Sequence, residues 1–313
     1  MRNTIAAAAF VAGFFLLNAL IQHVQLAAGI DQYSQFDPKL YEDRYRRLVL
    51  GDSHAVCGIL PDVLGDTANY SGLGDGYMVS YYKLEGVLDT EPQQLETVIL
   101  QVDRHSFALH RVNQYGYGLW ARSIDFADLS RYNGPQWGYF CQYLRFHVFT
   151  YADLPDHLAY IVGGVGAKER NDALTNWMRN FAEAPLKDAL VEQRIEDHIL
   201  PEERWWEDEM VDYFRRILEL CRARGLRVVA VRFPVSKPYS DALDPHVPPE
   251  EFDAALHGLL ADYPEVTVLD YSRLFADRDD YFVDPNHLNV VGSRAFTVRL
   301  RDDLAAIEAG TRP

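Results

Sequence analysis

Two short clusters, far apart in the chain, hold residue types suited to nucleophilic catalysis: Gly51-Asp52-Ser53-His54 and Asp284-Pro285-Asn286-His287. A serine hydroxyl attacks a carbonyl only when a base within hydrogen-bond reach takes its proton. A carboxylate must in turn hold that base in the right tautomer. An aspartate and a histidine three residues apart on one turn, such as Asp284 and His287, can converge on a serine such as Ser53 from the opposite end of a chain. Either cluster alone is weak, since these residues recur by chance. Together, in the right surroundings, they are fairly specific.

Those surroundings are legible. Arg47-Leu48-Val49-Leu50 is a short apolar run that enters Gly51-Asp52-Ser53, the pattern of a buried parallel strand leading into a functional loop. A second strand fits Thr67–Ser71, a helix Tyr77–Leu88 and a third strand Thr97–Val102. Glu202–Arg224 has the periodicity of a long amphipathic helix, with Gly225 placed to stop it. Leu226–Phe233 reads as a fourth strand, Pro249–Asp262 as a helix and Val266–Leu269 as a fifth strand. Val290–Ala309 closes the pattern as a helix with Gly310 beyond it. Strands alternating with helices imply a parallel sheet covered on both faces, an α/β fold. A serine at the carboxyl end of its first strand lies on the rim where such sheets bind ligands. Residues 104–200 break the rhythm with aromatic, Gly- and Pro-punctuated sequence, including Gly163-Gly164-Val165-Gly166, and read as a mostly helical insertion.

Competing motifs fail. There is no GxxxxGK[ST], HExxH or GxSxG, and Gly116-Tyr117-Gly118 follows no convincing strand. Asp52, His54, Gly74-Asp75 and Asn286-His287 echo a binuclear metal site. No histidine follows His287, however, so the ligands for two metals are missing and no metal or other cofactor is expected. Cys57, Cys141 and Cys221 are widely spaced and form no CxxC, which argues against a zinc knuckle or disulfide scaffold. Cys57, one turn beyond Ser53, reads as a buried core thiol.

On these residues the chain resembles the SGNH/GDSL hydrolase superfamily, whose first block is Gly-Asp-Ser and whose last is Asp-x-x-His. The resemblance covers Arg47 to the end, apart from 104–200, and implies a three-layer α/β/α, flavodoxin-like fold. Carried over by position, Ser53 is the nucleophile, His287 the general base and Asp284 its orienting partner. The second block implicates the amides of Ser53 and Gly72 in an oxyanion hole. The third block should end in an asparagine that donates to the oxyanion, but Gln101-Val102-Asp103-Arg104-His105 has none. An ionised Asp103 would repel an oxyanion. Three expectations follow for Asp103: it turns aside and pairs with Arg104, the favoured one, so that Asp103→Asn changes turnover little; it stays protonated in a desolvated pocket and donates to the oxyanion; or it marks a domain that binds without catalysing. His54, Arg104 and His105 are expected to line the substrate, and Asp52 to bond local amides.

Residues 5–21, IAAAAFVAGFFLLNALI, form an apolar run with Arg2 in front, long enough to cross a bilayer. The positive-inside rule leaves the N-terminus in the cytoplasm and exports the rest. Leu26 makes a poor processing site near Ala27-Ala28, so the run reads as an uncleaved anchor over 1–30, followed by a tether over 31–46 and an SGNH-like domain over 47–313. The expected address is the inner membrane, single-pass, with the domain in the periplasm. Thirty basic against forty-six acidic residues give a formal charge of −16, which disfavours nucleic acid as a partner. Anchor, exported domain, departed third block and insertion together look most like the branch similar to alginate O-acetylation and teichoic-acid D-alanylation proteins. That resemblance implies a carbohydrate acyl ester as substrate and a multispanning membrane acyltransferase as partner. Two other readings stay open: a catalytically degenerate domain that binds glycan or scaffolds such an acyltransferase, and a plain exported esterase or lipase.

Overall fold

Short runs of branched aliphatic side chains build the centre of the molecule. β1 spans Arg47–Leu50, β2 Thr67–Asn69, β3 Thr97–Gln101, β4 Arg227–Arg232 and β5 Thr267–Asp270. They form one parallel sheet in the order β2-β1-β3-β4-β5. Val49, Ile99 and Val229 are fully buried, as are Leu50, Leu100 and Ala230 on the opposite pleat, so both faces of the sheet are covered. That accounts for continuous apolar runs in place of an alternating pattern. The computed structural model describes residues 2–27, 45–89, 94–110, 137, 140, 141, 144, 188–199 and 204–310. Most of the proposed tether and of the 104–200 segment, with its two glycine clusters, lies outside them. The chain divides into two units, Met1–Leu40 with Tyr115–Leu174 and Tyr41–Gln114 with Thr175–Pro313; the sheet belongs to the second.

One helix, α1 (Arg2–Ala27), is described in the first unit. Its stretch Thr4–Ile21 has a mean hydropathy of 2.2 over 18 residues, long and apolar enough to span a membrane.

In the second unit, α2 (Ser53–Gly58) and α3 (Pro61–Leu64) follow β1, and α4 (Tyr77–Leu88) follows β2. Beyond β3 come α5 (Asp188–His198) and α6 (Asp208–Ala223), then α7 (Lys237–Leu243) and α8 (Pro249–Leu260) after β4. A two-stranded antiparallel hairpin, β6 (Phe282–Asp284) with β7 (His287–Leu288), leads into α9 (Val290–Glu308). One core joins Val49, Ile99, Val229, Val231 and Leu269 of the sheet to Ala55 and Ile59 of α2 and to Phe296, Leu300 and Leu304 of α9. Those last three sit four residues apart, a single helical stripe. Deleting Phe296, which is fully buried, would cost about 3–5 kcal/mol. On the other face α6 packs against α4 and β4, and the rings of Tyr77, Phe107 and Phe214 lie 4.9 to 5.4 Å apart.

Two boundaries differ from expectation. The helix expected from Glu202 begins at Asp208, because Arg204 and Glu207 spend backbone groups on the chain after β3. Leu109 N–H donates to Arg204 O and Glu207 N–H to Phe107 O. Its far end behaves as expected. Gly225 has φ 69°, and the amides of Gly225 and Leu226 return to the carbonyls of Arg222 and Cys221, a Schellman stop. The Asp-x-x-His segment, expected as a simple turn, is the bend of the β6–β7 hairpin.

Candidate active site

The first strand delivers its serine through a tightly packed corner. A Cβ at Gly51 would lie 2.5 Å from Gln101 Oε1, so no larger residue fits between β1 and β3 there. The same Gln101 oxygen accepts Asp52 N–H at 2.8 Å. Asp52 then caps α2, its Oδ1 accepting His54 N–H at 2.8 Å. A six-residue helix has little stability of its own. Side chains from elsewhere hold its carboxyl end. Asn69 Nδ2 donates to Ala55 O at 2.9 Å, Thr297 Oγ1 to Gly58 O at 3.1 Å, and Ser293 Oγ to Cys57 O. Ser53 is the first residue of this helix and is half-buried.

From the other end of the chain, Asp284 shapes the hairpin bend. Its Oδ1 accepts the amides of Asn286 at 3.0 Å and His287 at 2.9 Å. That fold-back brings the carboxylate to His287 Nδ1, 2.9 Å from Oδ1 and 2.8 Å from Oδ2. His287 Nε2 lies 2.8 Å from Ser53 Oγ. An ionised Asp284 accepts a hydrogen bond from Nδ1–H, so the Nε2 lone pair faces the serine O–H. Burial opposes ionisation of Asp284, but His287, Arg194 and the Asn286 amide outweigh it and hold the carboxyl well below the usual carboxylate range. Arg194, from α5, donates to Asp284 Oδ2 at 3.2 Å. The sequence carried no signal for it, because Arg194 lies inside the irregular 104–200 stretch.

Asp103 corrects the expectation. Its side chain is buried and does not pair with Arg104. Its Oδ1 accepts Phe233 N–H at 2.7 Å, and its Oδ2 faces Gln101 Nε2 and His54 Nδ1, both at 2.8 Å. Arg104 instead reaches Asp244 at 2.7 Å and Val247 O at 2.8 Å, because the chain turns sharply after β3 and sends neighbouring side chains to opposite sides. Gly72 is a second correction. Its N–H is committed to Gly51 O at 3.1 Å, extending the β1–β2 ladder, while Ser53 N–H meets no acceptor among the described residues. His54, expected to face substrate, is 3% exposed, wedged between Asp103 and Asn286 with Asn286 Nδ2 2.9 Å from its Nε2. His105 is also buried and pairs through Nε2 with Asp52 Oδ2 at 2.8 Å, so Asp52 does more than bond local amides.

Ser53 therefore stands among three Asp–His pairs. The His54 ring lies 5.3 Å from that of His287 and 4.4 Å from that of His105. His105 stacks in turn on His198 at 5.3 Å. Donor atoms of Asp52, His54 and His105 fall within 4.8 Å of one another, a grouping of the kind that can hold a cation. The Asp52–His105 and His54–Asp103 bonds already engage these side chains, and a cation would have to displace them. A cavity of about 400 Å³ opens at the carboxyl ends of β3, β4 and β5, lined among others by His54, Arg104, Arg232, Phe233, Tyr239 and Asp270. Arg232 is held between Asp253 and Asp270, the latter at 2.9 Å.

A parallel α/β domain that brings serine, histidine and aspartate into one hydrogen-bonded line at the sheet's carboxyl edge has a geometry that can activate a serine hydroxyl as a nucleophile. No family model matches the chain, and no curated protein matches it. Among solved structures it is similar to a Streptococcus pneumoniae protein provisionally designated a platelet activating factor. Identity is 11% over 95% of this chain and 98% of that one, with a TM-score of 0.43.

Proposed function

We propose that the chain is a serine esterase or O-acyltransferase of the SGNH type, held at the inner membrane by α1 with its catalytic domain in the periplasm. One observation carries the reading: Ser53 Oγ lies 2.8 Å from His287 Nε2, and His287 Nδ1 lies 2.8 Å from Asp284 Oδ2, though 234 residues separate the serine from the histidine. Ser53 Oγ attacks the ester carbonyl while His287 Nε2 takes its proton. The tetrahedral intermediate collapses as His287 returns that proton to the leaving alcohol, and acyl-Ser53 remains. Water, or an acceptor hydroxyl, then attacks the acyl carbon while His287 takes its proton, and the bond to Ser53 Oγ breaks as His287 hands that proton back to the serine. In this reading the Ser53 amide donates to the oxyanion.

The acyl ester we favour is an acetyl group on an envelope or exported polysaccharide. The cavity beside His54 supports a hydroxyl-rich ligand, since it offers fixed donors from Arg104 and Arg232, acceptors from Asp253 and Asp270, and the rings of Phe233 and Tyr239. A multispanning membrane acyltransferase is the partner that such a chain would serve. A second reading, a domain that binds glycan without turnover, is favoured by the committed Gly72 amide and the diverted Asp103. Labelling with a fluorophosphonate separates the two. A reactive Ser53 takes the probe in the wild type and not in Ser53→Ala. Failure of the native wild-type protein to label, together with no acetate release from an acetylated polysaccharide, would refute the catalytic reading.

A further inference from the structure

The His54–Asp103 pair has the geometry of the catalytic His287–Asp284 pair but no nucleophile. Asp103 already receives Phe233 N–H and Gln101 Nε2–H, an arrangement that suits a His54 donating from Nδ1 and turning its Nε2 to Asn286 Nδ2 at 2.9 Å. Asn286 belongs to the hairpin bend, and its amide and that of His287 share the same Asp284 oxygen. The bond between His54 and Asn286 therefore spans 232 residues and ties the first turn of α2 directly to the bend that carries the base. Ser53 is the residue before His54, and His287 the residue after Asn286. Two parallel ties thus join the same two segments, of which only the Ser53–His287 bond takes part in chemistry. The second tie is itself braced. Asp103 is fixed to β4 through Phe233 N–H, and Gln101 bridges Asp103 to the Asp52 amide.

Resting on the catalytic reading above, we propose that His54 is a positioning residue: held by Asp103, it fixes the distance and angle between Ser53 and His287 through Asn286. Proton transfer from Ser53 to His287 falls off steeply when their geometry loosens. A misplacement of about 1 Å costs on the order of a hundredfold. The proposal concerns kcat, since these three side chains are buried and bonded to one another or to the protein backbone.

The test uses two partial isosteres on the full chain. In His54→Asn the new amide keeps a donor where Nδ1 stands, toward Asp103, and loses the contact to Asn286. In His54→Gln the longer amide places an acceptor where Nε2 stands and keeps the contact to Asn286. Expected are a kcat at least ten times higher for His54→Gln than for His54→Asn, a KM within about twofold of wild type for both, and a loss in Asn286→Ala comparable to that in His54→Asn. The His54→Asn/Asn286→Ala double variant should be no slower than either single one, because one tie is broken only once. Equal kcat in the two isosteres, or losses that multiply in the double variant, would overturn the proposal. Should His54→Asn fail to fold, Asn286→Ala compared with His54→Gln answers the same question. Ser53→Ala keeps the two levels apart. If it retains turnover the catalytic reading fails, whereas its inactivity beside fully active His54→Asn and Asn286→Ala removes the positioning role alone.

Discussion

Asp103→Asn inverts what the third-block resemblance alone would lead one to expect. Replacing a carboxylate by an amide trades one acceptor for two donors at a site where three donors converge: Phe233 N–H at 2.7 Å, and Gln101 Nε2 and His54 Nδ1 at 2.8 Å. If the amide oxygen stays with Phe233, its NH2 meets the Gln101 NH2, and His54 must move its proton to Nε2, where it confronts Asn286 Nδ2. If the amide turns over, its NH2 meets the Phe233 N–H. Either way a buried donor faces a donor. Leaving one buried group unsatisfied costs about 1–3 kcal/mol, and losing a bond to a charged acceptor about 1.5–3 kcal/mol. These overlap in part, so a destabilisation of about 3 kcal/mol is expected, or roughly 6–12 °C in Tm for a domain of this size. Turnover of an activated acetyl ester should fall with it, because His54 loses its anchor. A calorimetric scan and an ester assay at pH 7 check both. An unchanged Tm with a tenfold gain in turnover, equivalent to about 1.4 kcal/mol of barrier, would refute the reasoning and return Asp103 to the oxyanion.

Asp284→Asn should leave residual activity where Ser53→Ala and His287→Ala leave none, and the Ser53/His287 double variant should be no worse than either single variant in an ester assay. The depressed Asp284 carboxyl stabilises the fold above the ordinary carboxylate range near about pH 4, and that contribution is lost as pH falls toward its folded value. Arg194→Gln removes one lowering influence, so acid unfolding followed by circular dichroism should begin at higher pH than in wild type. Burial pushes the Cys221 thiol up to about 12, and Cys57 is also buried while Cys141 is exposed. A thiol reagent at pH 8 should accordingly titrate one fast cysteine in the native protein and three after denaturation. An alkaline carbonate wash should leave the full chain with the membrane, and release of intact protein would remove the proposed anchor.

Much of the fold was legible because its signals are local. The apolar runs at Val49, Val98 and Val229, the glycine stop at Gly225 and the stripe through Phe296 and Leu300 follow from side-chain burial and backbone freedom that each segment carries by itself. Ser53, Asp284 and His287 could be picked out for the same reason: their types and spacing suit nucleophilic chemistry, and the fold brings the three side chains within hydrogen-bond reach. What no local pattern contains is which polar groups are already taken. Gly72 looks like a free amide until β2 lies beside β1 and Gly51 O claims it. Asp103 and Arg104 look like an ion pair until the turn after β3 sends one to His54 and the other to Asp244. Arg194, Asn286 and Gln101 enter the site from α5, the hairpin bend and the end of β3, at separations where sequence spacing says nothing about distance. Hydrogen-bond partnership in a buried site is settled by exclusion, since each acceptor can be filled only by donors the whole fold brings within 3 Å. Residue types along the chain therefore determined the chemistry that was possible here, and the packing of distant segments decided which groups remained free to perform it.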